Sequence, residues 1–181
     1  ALIFYPPESP YRTIASGNLA ITRWHHHGDI DGLLLERTKM LAANRSLNHN
    51  NVPGDMLQLS ELHHFLGQKE KALDILHDVS TYYKANPRWT LEAEALKAYL
   101  ENTPEAFPTL LHRAKPWEHS LQQRVQFFWA RTLRASSARQ ALEVLENIDN
   151  PWAKIEKSLA AKSLHYKEAL DILGDIPKKS E

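Results

Sequence analysis

Residues 56–87, MLQLSELHHFLGQKEKALDILHDVSTYYKANP, read as two amphipathic helices back to back. Met56, Leu59, Leu62 and His63 stand at three- and four-residue spacing, which gathers them on one side of a helix. Gly67 closes that helix, because glycine takes the left-handed backbone conformation at no steric cost. Ala72, Leu73, Ile75, Leu76 and Val79 form a second apolar stripe. It runs toward Asn86-Pro87, where a proline cannot continue the hydrogen-bond ladder. The spacing predicts a helical hairpin, and the same unit recurs along the chain.

The recurrence shows in two independent ladders. ALDIL at 72–76 returns verbatim at 169–173, with AFPTL at 106–110 and ALEVL at 141–145 between them. The alanines at 72, 106, 141 and 169 are thus 34, 35 and 28 residues apart. A small residue at a fixed place lets neighbouring helices approach, and the flanking Leu and Ile fill the shared core. The second ladder is Pro87-Arg88-Trp89, Pro116-Trp117 and Pro151-Trp152, each ahead of a new helical pattern. Proline fits the first turn of a helix, where its missing N–H costs nothing. A tryptophan beside it can wedge between one hairpin and the next.

A hairpin of about 34 residues with a small residue in each helix resembles the tetratricopeptide repeat. Apolar-small pairs recur in the first helices as Leu19-Ala20, Leu59-Ser60, Trp129-Ala130 and Leu159-Ala160, while Glu94-Ala95 holds the place in the third unit. The resemblance covers residues 12–176. It implies an all-α fold, a right-handed α-solenoid of about five antiparallel helix pairs, with no sheet. Expected hairpins span 11–43, 55–87, 88–114, 117–148 and 152–174 within a repeat domain at 11–176. The first divides into Tyr11–His27 and Asp29–Ala43 around Gly28, and a polar loop at 44–55 follows it. An extended leader, 1–10, carries three prolines, and a polar tail occupies 177–181. The last two units lack an inter-helix glycine and are tighter than the family's usual length, which leaves room for another helical-pair solenoid.

Composition narrows the function classes. Lys plus Arg equals Asp plus Glu at 22 each, so no global field points to nucleic acid or a membrane surface. With no cysteine there are no disulfides and no thiolate metal sites, and the redox compartment stays open. No apolar run approaches the roughly 18 residues of a membrane span. The chain starts ALIFYPPESP without an initiator Met, so we expect a trimmed fragment or mature form. Localisation is unassigned; the cytoplasm is the first expectation, with a removed signal or anchor left open.

Chemistry-bearing motifs are few. His25-His26-His27 point to different sides of a helix and cannot share one metal. Glu61-Leu62-His63-His64 gives a single Glu-x-x-His, where a di-iron bundle needs two and further glutamates. There is no HExxH, phosphate loop, nucleophile elbow or dinucleotide fingerprint. We therefore expect no catalytic residues, no metal and no cofactor.

Charge clusters in one place. Residues 112–139 hold six basic side chains and one acidic, Glu118. Arg124, Phe127, Arg131 and Arg134 share one helical face by spacing alone. The opposing face keeps Leu121, Val125, Phe128, Trp129 and Leu133 for the core. The repeat resemblance implies that this face lines a concave groove. The same register selects Lys154, Lys157, Ala161 and Leu164; Trp89, Glu92, Leu96 and Tyr99; Leu57, Glu61 and His64; and Ile21 and Trp24. The candidate partner-binding set is Arg124, Phe127, Arg131, Arg134, Lys154, Lys157, Trp89, Tyr99, Glu61 and His64. The lysine/asparagine pattern of chaperone-binding members is not reproduced.

The function that follows is a non-catalytic protein–protein interaction module, a scaffold, chaperone or docking domain, holding a partly acidic partner segment. A ligand-sensing regulatory domain of a larger protein is the alternative, and RNA binding through the Arg/aromatic face is a third reading. Self-association stays open. Replacing Arg131 and Arg134 by Glu is expected to weaken association and leave the melting temperature nearly unchanged.

Overall fold

The computed structural model describes residues 10–114 and 119–164 of the 181-residue chain, without the side chains of 10–15, 18, 25 and 152. Among the described residues the fold is all-helical, with no strand. Consecutive helices pack on one another within two compact units, one up to Lys84 and one from Ala85.

The first unit holds α1 (Pro10–His27), α2 (Ile30–Ser46), α3 (Val52–Phe65) and α4 (Lys69–Tyr82). Gly28 and Gly67, at φ 69° and 73°, make the left-handed turns that end α1 and α3. Asp29 caps α2 by accepting from the Gly32 N–H at 2.9 Å. The Ser16 hydroxyl donates to Glu36, tying α1 to α2. Hydrogen bonds from Lys39 and then Ser16 hold the Glu36 carboxyl below its ordinary pKa. Ala72, Leu76 and Val79 of α4 are buried, and the buried Ser60 hydroxyl of α3 donates to the Ala72 carbonyl at 2.9 Å. That bond explains why the small residue of α3 is a serine.

The polar loop expected at 44–55 is shorter. Helix α2 runs on to Ser46 and α3 begins at Val52, leaving 47–51 as the connection. Proline in the first turn is why VPGD can be helical: Pro53 has no N–H to leave unpaired there. Asp55 is buried, and takes hydrogen bonds from Asn44 Nδ2 at 2.6 Å and Asn51 Nδ2 at 3.4 Å. The loop's polar residues thus bind the helix they precede. Burial lowers the pKa of the nearby Arg37 guanidinium, and the Asp55 charge opposes that shift.

The second unit holds α5 (Pro87–Glu101), α6 (Phe107–Ala114), α7 (His119–Arg134), α8 (Ala138–Leu145) and α9 (Pro151–Leu164). Pro87 and Pro151 open α5 and α9. Asn86 caps α5 through the Arg88 N–H at 3.2 Å, and Asn150 caps α9 through the Ala153 N–H at 2.9 Å. Helix α7 packs against α5, α6, α8 and α9. Its core stripe of Leu121, Val125, Phe128 and Leu133 is buried. Trp129 is half-buried and stacks on buried Phe107 at 6.2 Å.

Ala106 departs from its place in the alanine ladder. It ends a short 3-10 turn, Pro104–Ala106, and is half-buried, while Phe107 and Leu110 of α6 fill the core. Ala141 keeps its place, at 1% exposure among Ala130, Leu133, Leu145, Ala153 and Ala160. Replacing Ala141 by Leu is expected to cost about 1–3 kcal/mol by overpacking. Thermal unfolding checks this, and an unchanged melting temperature would put the contact elsewhere. Pro10, counted in the leader expected at 1–10, opens α1; the leader's other residues, 1–9, lie outside the described residues, as do Pro116-Trp117, Ala169 with the second helix of the last hairpin, and the 177–181 tail.

Candidate functional site

Helix α7 carries Arg124, Phe127, Arg131 and Arg134 on one side, and all four are half-buried. The side opposite its core stripe does not simply face water. It lies beside α5 and α9; α5 supplies the Tyr99 ring, and each of the two helices supplies a carboxylate. The Arg131 guanidinium sits over Tyr99 of α5 at 4.9 Å and over Phe127 at 5.3 Å. Tyr99 stacks on Phe128 at 5.9 Å, and Arg124 lies over that same Phe128 ring at 5.6 Å. Cations over ring faces gain from the ring quadrupole, and the contacts fix the plane of each guanidinium.

The carboxylates are Glu92 of α5 and Glu156 of α9, both buried. Glu92 forms an ion pair with Arg124. Glu156 serves two arginines: Oε1 lies 3.3 Å from Arg131 Nε, and Oε2 accepts from Arg134 Nη1 at 2.8 Å. The Arg131 contact is an ion pair without an aligned hydrogen bond. A buried carboxylate is tolerated only when paired, and these two are.

Positive charge on this face is therefore compensated largely from within the chain. Lys154 pairs with Asp149 at 3.2 Å. Lys157 donates to the Glu146 and Ile148 carbonyls at 3.2 and 3.0 Å, just past the end of α8, where a cation suits the carbonyl ends of a helix. This changes one expectation. Glutamates at 131 and 134 would place two carboxylates against buried Glu156, so that double replacement destabilises the unit instead of sparing it.

The remaining candidates divide by unit. Tyr99 joins the arginine cluster. Trp89 lies near the start of α5, about three turns from Tyr99, beneath the Arg88 guanidinium at 5.3 Å. Glu61 and His64 stand half-buried on α3, in the other unit. The neighbouring His63 ring pairs with Gln68 at 2.8 Å. Leu57, Leu96 and Ala161, counted by register as groove-facing, are buried in helix packing. Among the described residues no three His, Asp or Glu come together to hold a metal ion, and no helix is long and apolar enough to cross a membrane.

Reading by charge alone missed Glu156 as a member of the site, and the repeat register counted Glu92 as groove-facing, whereas it is buried and paired with Arg124. A signal was present. Ala153, Glu156 and Ala160 follow one another at three- and four-residue spacing, as do Glu92, Leu96 and Tyr99 at four and three. An acid inside a stripe of small or apolar residues is bound for burial and needs a cation. No family model, no curated protein and no solved structure matches this chain.

Proposed function

We propose that the chain is a non-catalytic interaction module built as a tetratricopeptide-like stack of helical pairs, and that a partner segment docks along α7 beside Tyr99. One observation carries the reading. Arg124, Arg131 and Arg134 keep 41%, 29% and 33% of their side-chain surface exposed while buried carboxylates and aromatic rings hold them in place. Guanidiniums fixed before binding lose little side-chain entropy when a partner arrives, which is how a small polar surface reaches useful affinity. Half-buried Arg beside half-buried Tyr and Phe also matches the residue types that dominate binding energy at protein interfaces.

The repeat resemblance supports the same reading from the sequence side, since stacked helical pairs offer large surfaces and little chemistry. A direct test compares proteins captured on the immobilised chain with those captured on an Arg131→Lys/Arg134→Lys variant. Lysine keeps the charge and loses the planar fork, so the fold is expected to persist while partner capture falls. A variant that melts like the wild type and captures the same proteins would remove α7 from the docking surface.

A further inference from the structure

Arg131 and Arg134 stand one turn apart on α7 and share one carboxylate, Glu156, whose side chain is only 7% exposed. Among the described residues, two positive charges here meet one negative, which leaves one positive charge without a carboxylate. Among the described residues, Glu156 takes Arg131 at Nε and Arg134 at Nη1, and both side chains reach solvent at 29% and 33% exposure. A guanidinium has five N–H donors in a rigid fork, so most of the donor capacity of the pair remains for an outside acceptor. Tyr99 and Phe127, both half-buried, lie against the Arg131 plane at 4.9 and 5.3 Å.

We propose that this pair, on the face read above as a docking surface, receives a single aspartate or glutamate side chain of the partner, next to an aromatic or aliphatic residue that rests against Tyr99 and Phe127. The charge balance selects the ligand. One carboxylate completes the count, whereas a phosphate dianion would exceed it and face the buried Glu156 at short range. An acid side chain is selected over a chain terminus because terminal carboxylates are captured by converging backbone N–H groups, and those of the α7 interior are spent within the helix.

The proposal rests on the docking reading, and one experiment separates the two. Short random peptides displayed on phage are selected on the intact chain, and the enriched sequences are synthesised and measured by fluorescence polarisation. The expected peptides carry an acid beside an aromatic or aliphatic residue. Changing that acid to its amide weakens binding about tenfold. Phosphoserine in its place brings no gain. Arg131→Lys or Arg134→Lys weakens the acidic peptide and leaves its amide version unaffected. Glu156→Gln frees a second positive charge and raises affinity for peptides with two acids; if that variant does not fold, the two lysine variants decide.

Enriched peptides without an acid, indifference to the amide change or stronger binding of phosphoserine would each overturn the single-carboxylate site and leave the docking reading standing. So would displacement of the acidic peptide by a single-stranded oligonucleotide at lower concentration than by unlabelled peptide. No enrichment at all would overturn the docking reading itself.

Discussion

Replacing Phe128 by alanine is expected to lower the stability of the α5–α9 unit by about 3–5 kcal/mol, the range for a large ring removed from a core. Phe128 is 1% exposed and is the floor of the arginine face as much as part of the core. Tyr99 stacks on it at 5.9 Å, Phe127 meets it edge-on at 5.9 Å, and Arg124 lies above it at 5.6 Å. Its loss leaves a cavity and removes the support that orients three candidate binding residues. Domains are stable by only about 5–15 kcal/mol, so a shift of this size is visible in urea denaturation as a large fall in midpoint. Phe127→Ala, at a half-buried position, is expected to cost clearly less. Equal costs would mean that α7 is rotated relative to the core described above.

Glu156→Ala is expected to cost about 2–3 kcal/mol, although it deletes a charged residue and creates no large cavity. Removing one partner of a buried pair strands the others, which costs about 3–5 kcal/mol where burial is complete. Here the stranded guanidiniums are about one-third exposed, so water offsets part of that cost. Glu156→Gln is expected to cost less than the alanine change, because an amide oxygen still accepts from Arg134. Urea denaturation of both variants, with Arg134→Ala completing a double-mutant cycle, isolates the coupling. Additive effects of the Glu156 and Arg134 changes would show that the pair contributes nothing to the fold.

Features that repeat or punctuate were the legible ones. Pro87 and Pro151 open helices because the missing N–H of proline is harmless only in a first turn, and this is a local rule. Ala72 and Ala141 are buried because only a small side chain suits that repeated position. Ala106 had the right spacing, but prolines at 104 and 108 lie on either side of it, and a 3-10 turn passes the core position to Phe107. The arginine face was legible as a face, since helical spacing alone groups its members. Its electrostatics were not. Compensation comes from other helices, 22 residues away in the case of Arg134 and Glu156, and local charge counts do not reach that far.

The sharing of Glu156 also bears on how this chain can change over evolutionary time. A pair such as Glu92 and Arg124 can drift together, since a neutral replacement of one removes the burial problem of the other once both have gone. Position 156 is less free. Two arginines depend on it, so a lineage that drops the acid must change 131 and 134 as well, passing through intermediates with a stranded charge. Among descendants of this sequence, a change at position 92 should come with a change at position 124. Position 156 should hold still, changing only where both α7 arginines have already gone.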